Sequence, residues 1–206
     1  MAETARERRH RATREEILAV ARGLMLEEGV NGLSIREVAR RTGFGPASLY
    51  TYFDGKEEIV AAVTEESFRG LDEHLARVPG GMPLEMRLVG LGAAYLRFAR
   101  DNPADLACIV TTGLGGAVPQ GVDPAVLDAP LTRFAEVLQR GSDNGVFAAG
   151  EERTVADTAY GFWALVHGLA VLAQVRAGRP GAGVAADPER VLRAAVDDMV
   201  SGGGEG

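Results

Sequence analysis

The chain has 206 residues and a net charge of −7 at pH 7, with 46% hydrophobic and 25% charged residues. These proportions are those of a globular protein with enough apolar residues for a core. A single cysteine, Cys108, excludes an internal disulfide, and with three scattered histidines it argues against a structural zinc site. We therefore predict no metal site and no cofactor. No continuous apolar run reaches the roughly 18 residues of a membrane span, and the charged N-terminus lacks a signal's apolar segment, so we expect a cytoplasmic protein with no membrane partner.

The charge is distributed unevenly. Residues 1–56 carry ten basic and eight acidic residues, whereas the rest of the chain carries twelve and twenty-one. The first fourteen residues form a basic arm that includes Arg6, Arg8, Arg9, Arg11 and Arg14. A basic end on an acidic body favours contact of that end with a polyanion, and a solvated, disordered arm is the alternative.

The first predicted helix begins where Thr13 and Glu16 stand at capping-box spacing, and it ends at Gly29. Next, Ser34 and Glu37 repeat that spacing and predict a short helix through residue 41, which Gly43 ends. Pro46 suits the first turn of a third helix, which is predicted to run from Gly45 to Phe53.

A fourth, longer helix is predicted from the Asp54 and Glu57 capping pattern to the Pro/Gly-rich residues 79–83. Further helices are predicted at 84–101, 103–112, 131–145 and 152–178, with a last one that opens at Pro188 after the cap Asp187. Loops are expected at 113–130 and 179–187, and residues 201–206 are expected to fray. No strand-like alternation occurs, so we predict an all-α fold of about nine helices.

Two short helices joined by a glycine-containing turn predict a helix-turn-helix at residues 34–53. Its second helix has an uncharged outer face of hydroxyls, a methyl group and aromatic rings, where a solvent face would carry Lys and Glu. Such groups suit base edges and thymine methyls in the major groove. Arg36, Arg40, Arg41 and Lys56 flank this face and are candidates for phosphate contacts.

The segment "TREEILAVARGLMLEEGVNGLSIREVARRTGFGPASLYTYFDGKEEIVAAV" resembles the tetracycline-repressor (TetR) family of bacterial regulators. The matching motifs are "EEG" at 27–29, the S-x-x-x-V-A-R-x-x-G pattern at 34–43, "LYTYF" at 49–53 and "KEE" at 56–58. The resemblance implies an N-terminal helix-turn-helix domain at 1–56 and a larger helical effector-binding and dimerisation domain at 57–206.

The resemblance also implies roles for single residues. Leu49 and Phe53 belong to the core, whereas the DNA-contacting residues are Ser34, Arg36, Gly45, Pro46, Ala47, Ser48, Tyr50, Thr51, Tyr52 and Lys56. Simple packing is the alternative for the two tyrosines. Many members have Ser or Thr where this chain has Gly45, so the recognition helix lacks a side-chain cap. In such proteins an arm before the first helix can follow the DNA backbone or enter the minor groove, and Arg9, Arg11 and Arg14 are the candidates here.

A single helix-turn-helix reads few base pairs, so we expect a homodimer with two of them about 34–36 Å apart. The resemblance implies that the helices at Thr154–Arg176 and Pro188–Val200 form the interface, with a purely intramolecular core as the alternative. The expected interface residues are Ala159, Phe162, Val166, Leu169, Ala170, Ala173, Val191, Leu192, Ala195 and Met199.

The string "GFWALVHGLAVL" is similar to a W-x-x-x-H-G signature of one subgroup of TetR-type C-terminal domains. Trp163 and His167 are four residues apart and share a helix face. A pocket for a small, mostly apolar effector is expected among Tyr95, Phe98, Cys108, Phe134, Phe162, Trp163 and His167, although each of these could equally fill a core.

The sequence contains no nucleophile–base pair, metal cluster or phosphate-binding loop, so we predict no catalytic residue and no enzyme activity. The predicted function is a DNA-binding transcriptional regulator. The resemblance favours a repressor that an effector releases from a palindromic double-stranded DNA operator. A helical interaction module that has lost DNA binding is the remaining alternative.

Overall fold

The computed structural model describes residues 3–114, 118–147, 154–177 and 187–201. Every regular element in these ranges is helical, which confirms the all-α prediction. In chain order the α-helices are α1 (Ala5–Gly32), α2 (Ile35–Thr42), α3 (Pro46–Leu49), α4 (Lys56–Ala76), α5 (Leu84–Asp101), α6 (Pro103–Cys108), α7 (Pro124–Asp143), α8 (Val155–Ala177) and α9 (Pro188–Ser201). A π-helix (Ile109–Leu114) directly follows α6. Most of the loop expected at 179–187 and of the tail expected at 201–206 lies outside the described residues.

Helix α1 begins at Ala5, well before the start predicted at Thr13. The Thr-x-x-Glu pattern occurs twice in this region, and its first copy is the one that caps the helix. The Thr4 hydroxyl accepts a bond from the Glu7 N–H, and the Glu7 carboxylate accepts one from the Thr4 N–H at 2.7 Å. The basic arm is therefore not an extended tail, because its arginines belong to the first helix. The end predicted at Gly29 is a kink instead, where φ is 71°, and the helix continues to Gly32.

Helices α2 and α3 form the predicted helix-turn-helix, but α3 is shorter than expected. Ser34 caps α2 through the Glu37 N–H at 3.2 Å, and Gly43 ends it in the left-handed region at φ 74°. Gly45 precedes α3 without a side-chain cap. The α-helix stops at Leu49, and the chain reaches Phe53 through turns in which the N–H groups of Tyr52 and Phe53 both donate to the Leu49 carbonyl.

Two other helix starts differ from the prediction. At α4 the Asp54 N–H donates to the Glu58 carboxylate, so Glu58 rather than Glu57 provides the side-chain partner. Helix α7 begins at Pro124 instead of residue 131, because Asp123 caps it by accepting the Ala125 N–H at 2.9 Å. This is the same Asp-Pro start that correctly predicted α9, where Asp187 accepts the Glu189 N–H.

The chain divides into two compact units. The first comprises residues 1–68 and 103–127, and the second comprises residues 69–102 and 128–206. In the first unit α1 packs against α2 and α6, and α2 packs against α3. Its core is formed by Ile17, Leu18, Ala21, Leu24, Met25, Leu33, Val38, Ala39, Leu49, Phe53, Ile59, Val60, Val63 and Cys108. This core fixes α3 relative to α1 by burying one side of α3 and leaving the other free.

In the second unit α5 packs along both α8 and α9. The buried side of α5 includes Leu88, Leu91, Tyr95 and Phe98. Opposite it, α8 contributes Phe162, Trp163 and Val166, and α9 contributes Leu192 and Val196. Interdigitated apolar side chains of this kind hold three long helices together without any strand. The expected domain boundary between residues 56 and 57 remains a prediction.

Candidate nucleic-acid interface and buried aromatic cluster

Residues 45–53 contain α3 and the turns that follow it, and they are called the α3 segment or recognition segment. One side of this segment is packed and the other is open. Leu49 and Phe53 are 0% and 1% exposed, as predicted for core residues. Pro46, Ala47, Ser48, Tyr50 and Thr51 are all exposed, and Tyr50 keeps 57% of its surface. Packing therefore does not account for Tyr50. The open side presents methyl, hydroxyl and aromatic groups with no charge, which is the composition that base edges in a major groove require.

Tyr52 is half-buried and differs from Tyr50 in its surroundings. Its ring stacks on the imidazole of His10, with ring centroids 4.6 Å apart and planes inclined by 30°. His10 belongs to the early part of α1, which the sequence analysis placed in a basic arm before the first predicted helix. The packing alternative for Tyr52 is therefore partly correct, because one ring face is covered by a histidine that the sequence did not single out.

Two of the four predicted phosphate-binding cations are already paired. The carboxylate of Glu37 accepts bonds from Arg40 and Arg41, and these bonds lower the pKa of Glu37 to about 2. Arg41 also bonds Glu27 at 2.7 Å. Arg36 is exposed and Lys56 is half-buried, and neither forms an ion pair within the described residues. Arg36 and Lys56 are thus the better candidates for phosphates. The hydroxyl of Ser34 is engaged in capping α2.

A polar network within the first unit was not predicted. Arg22 on α1 contacts two acids, Glu66 of α4 at 3.0 Å and Asp105 of α6 at 2.7 Å. The buried Nε–H of Arg22 is not aligned for a hydrogen bond, so its contact with Asp105 is an ion pair. Asp105 also accepts the Ser67 hydroxyl at 2.8 Å. The members of this network lie on three different helices, and no spacing within one helix links them, so the sequence alone did not predict the network.

The same network reaches the end of the recognition segment. Arg14 lies 3.6 Å from Glu66, and its guanidinium stands 5.0 Å above the ring centroid of Phe53. Arg14 was a candidate for DNA contact, but in the structure it joins α1 to α4 and to Phe53. A cation above a buried aromatic ring favours a fixed position for both groups.

Five of the residues predicted to line an effector pocket meet in one cluster inside the second unit. The ring of Tyr95 makes an edge contact with Trp163, and Trp163 and Phe162 both contact Phe134. The Tyr95 hydroxyl lies 2.6 Å from Nδ1 of His167. Burial raises the pKa of the tyrosine and lowers the pKa of the histidine, so both groups are neutral near pH 7. The phenol O–H is the more acidic donor of the two, so we assign it to donate to Nδ1, with the imidazole proton on Nε2.

The other two expected pocket residues lie elsewhere. Phe98 contacts the ring of His74 at 5.1 Å. Cys108 belongs to the core of the first unit, where its thiol lies 3.7 Å from the Thr64 hydroxyl and 3.9 Å from that of Thr112. Burial raises the pKa of this thiol. Cys108 therefore packs with the helix-turn-helix core and is no part of the aromatic cluster.

The helix face expected at a dimer interface is largely occupied by the chain itself. Five of the ten expected residues are at most 2% exposed within one chain: Ala159, Phe162, Val166, Ala170 and Leu192. Ala173 is exposed, and Leu169, Val191, Ala195 and Met199 are half-buried. The opposite side of α8 is open instead, with Tyr160, Leu172 and Val175 at 61%, 61% and 55% exposure. The apolar residues of α8 do not show from the sequence alone which face packs within the chain and which face stays open.

Helix α8 is long and strongly apolar. Among the described residues, Val155–Val175 is long and apolar enough to cross a membrane by length and composition, and 33% of it is buried. A core helix of a globular protein has the same properties. The contacts of α8 with α5 and α9 account for its buried third.

Comparison with known proteins gives two family matches. Residues 17–63 match the family described as bacterial regulatory proteins, tetR family. Residues 88–199 match the family described as tetracyclin repressor-like, C-terminal domain. The first match contains the whole helix-turn-helix, and the second covers more than half of the chain.

Several relatives and solved structures agree with these matches. An uncharacterised HTH-type transcriptional regulator of Mycobacterium tuberculosis is 30% identical over 136 residues, which are 66% of this chain and 61% of that protein. A second regulator of the same species is 28% identical over 160 residues, covering 78% and 69%. The chain thus spans about three fifths of the length of the first of these relatives.

Among solved structures, a Rhodococcus sp. RHA1 protein of unknown function is 25% identical, with a TM-score of 0.70 and coverage of 92% and 94%. The fatty acid degradation regulator FadR of Bacillus halodurans has the same fold, at 15% identity, a TM-score of 0.71 and coverage of 97% of both chains. Proteins of this family are regulators rather than enzymes, and they bind DNA and act as dimers. The chain therefore belongs to the tetR family of bacterial regulatory proteins.

Proposed function

We propose that this regulator is a repressor that binds a palindromic operator as a homodimer and leaves it when a small, mostly apolar effector binds the second unit. The observation that carries the proposal is the open, uncharged side of the α3 segment. A tyrosine that belonged to a packed core would be buried. Tyr50, which directly follows the four-residue helix α3, instead keeps 57% of its surface exposed.

The DNA contact is assigned to two kinds of group. The exposed residues from Pro46 to Thr51 supply base contacts, and Arg36 and Lys56 supply phosphate contacts. Lys56 is the first residue of α4, and the backbone N–H groups at the start of a helix also attract a phosphate. Arg40 and Arg41 already share Glu37, and Arg41 also pairs with Glu27, so we assign them a smaller part in the phosphate contact.

The proposed dimer uses the open side of α8 together with the exposed and half-buried residues of α9. Tyr160, Leu172 and Val175 give this surface its apolar character. Gly161 and Gly168 lie on the same helix, and among the described residues no atom outside the adjacent backbone of α8 comes within 4 Å of the position that a Cβ would take at either glycine. Space beside small residues lets two helices approach closely, which supports a second copy as the occupant of this face.

The proposed effector site is the aromatic cluster around Tyr95 and His167. Its rings would contact an apolar molecule, and the Nε2–H of His167 would donate to one polar acceptor atom on it. An effector changes DNA affinity only if it binds the two conformations of the regulator with different affinity. The cluster supports that requirement, because a molecule that enters it must displace rings that already pack against one another. Membership of the W-x-x-x-H-G subgroup remains part of this proposal.

The proposal is tested on the DNA upstream of the protein's own gene. Fluorescence anisotropy should give an affinity at least a thousandfold higher than for a random duplex of the same length, within the range usual for specific binding, about 10³–10⁷. A footprint with two symmetric halves one DNA turn apart would support the dimer on a palindrome. Equal binding to both duplexes would contradict the proposed function.

A further inference from the structure

The early part of α1 forms a surface outside the family's DNA-binding domain. The family match starts at residue 17, whereas the helix starts at Ala5 with its own capping box. Residues 3–12 are all exposed, so core packing does not explain why this chain extends the helix. The extension instead carries a dense set of cations, and their partners differ from one residue to the next.

Two of these cations are engaged within the extension itself. Arg8 donates to the Glu3 carbonyl at 2.9 Å, and Arg11 forms ion pairs with the Glu3 and Glu15 carboxylates at 3.1 Å and 3.2 Å. The bonds to the two acids raise the pKa of Arg11. Arg11 is therefore partly neutralised by two carboxylates, and both side chains are held along the helix surface.

Arg6 and Arg9 form a different strip. Neither has an ion pair within the part of the chain that the structure describes. They are three residues apart, so they are neighbours on one helix face, and His10 lies one turn after Arg6. Since His10 stacks on Tyr52 at 4.6 Å, this strip stands beside the recognition segment.

We propose that Arg6 and Arg9 bind DNA phosphates next to the major-groove contact, and that His10 is a positioning residue that holds the helix extension against Tyr52. This inference rests on the proposed DNA-binding function. It assigns the extension to the DNA backbone, because an α-helix about 10–12 Å wide does not enter a minor groove about 6 Å wide. Of the two contacts expected for the arm, this proposal keeps the one with the DNA backbone, and of the candidates Arg9, Arg11 and Arg14 only Arg9 has no partner acid within the described residues.

The test compares two charge-matched double variants of the full chain. Arg6→Gln with Arg9→Gln removes the two cations that have no ion pair among the described residues. Arg8→Gln with Arg11→Gln removes the same charge from the two side chains that are already bonded within the extension. Losing two phosphate contacts per subunit makes the negative slope of log K against log salt less steep, by about 3 to 4 per dimer. Between 50 and 200 mM salt, wild-type affinity should therefore fall about a hundredfold more than that of the first variant. The second variant should keep a slope close to that of the wild type.

His10 is tested by a pair of substitutions. His10→Ala removes the stack and should weaken operator binding severalfold at an unchanged melting temperature. His10→Phe restores a ring against Tyr52 and should recover most of the affinity, which a merely structural loss would not explain. If wild-type protein binds its operator specifically but both double variants have the same salt slope, or His10→Phe is as weak as His10→Ala, the inference is wrong. A wild-type protein without specific binding would instead overturn the proposed function.

Discussion

The hydroxyl of Tyr95 and Nδ1 of His167 lie 2.6 Å apart among buried aromatic rings, and they form the polar centre of the second unit. Both residues are at most 8% exposed, so water does not replace either partner if the other is removed. A buried acceptor that loses its donor contributes its full desolvation cost. This relationship makes the stability of the unit sensitive to single-atom changes.

Tyr95→Phe removes only the hydroxyl and leaves Nδ1 of His167 without a donor. We expect a loss of about 1–3 kcal/mol in the free energy of unfolding, measured by urea denaturation. Tyr160→Phe makes the same chemical change at a residue that is 61% exposed and should leave the free energy of unfolding unchanged. A Tyr95→Phe protein as stable as the wild type would mean that the bond is absent in solution.

The same histidine predicts a pH dependence. Burial lowers the pKa of His167 below its ordinary value of 6.5, so the unfolded chain binds a proton at a higher pH than the folded chain does. The stabilisation is therefore complete above about pH 6.5 and is lost as the pH falls toward the folded-state pKa. His167→Gln cannot titrate but keeps an acceptor for Tyr95. It should flatten the fall in melting temperature between pH 7.5 and 5.5, and an unchanged fall would contradict the prediction.

The ion pair between Arg22 and Asp105 predicts a stability effect in the first unit. Asp105→Asn should cost about 1–2 kcal/mol, less than the roughly 3–5 kcal/mol for a fully buried pair. The two side chains keep 24% and 17% of their surface, so solvent screens part of the charge left on Arg22. Thermal unfolding at low salt measures the effect. The exposed pair of Arg100 and Asp101 is the control, and Asp101→Asn should not shift the melting temperature.

The recognition segment separates folding from DNA binding in two adjacent residues. Tyr50→Ala removes a side chain that is 57% exposed, so we expect normal stability but a loss of about 1–3 kcal/mol in specific DNA affinity. Leu49→Ala removes a fully buried side chain and should cost about 2–5 kcal/mol of folding stability. Anisotropy titrations on specific and random duplexes, with parallel melting curves, measure both quantities. Unchanged discrimination in Tyr50→Ala would remove this residue from the proposed base contacts.

The local sequence predicted most helices but did not identify every helix start. The capping pattern at Ser34 and the glycine stop at Gly43 identified α2, because these signals act over a few residues. Where two equivalent patterns competed, as at Thr4 and Thr13, pattern alone did not decide between them. The Asp-Pro pair at Asp123 was overlooked because it stands in a Gly/Pro-rich stretch.

Functional residues could be predicted from the sequence only where the residues of a site lie on a single helix. The open side of α3 follows from its own composition, and the structure leaves it exposed as expected for such a face. The stack of His10 on Tyr52 and the pairing of Arg22 with Asp105 join residues far apart in sequence, and no periodicity reports such contacts. Likewise, α8 is apolar on more than one side, so its pattern did not separate the inner face from the open one.

The open face of α8 gives the last prediction. If a second copy covers it, Leu172→Glu places a charge in an apolar interface and should convert the dimer to a folded monomer, seen by size-exclusion chromatography with light scattering. Met86→Glu makes the same kind of change at an apolar residue of α5 that is 54% exposed and should leave the dimer intact. The Leu172→Glu monomer should bind operator DNA far more weakly, because it presents one recognition segment instead of two. A Leu172→Glu protein that remains dimeric at micromolar concentration would exclude this face as the interface and return the search to the half-buried residues of α9.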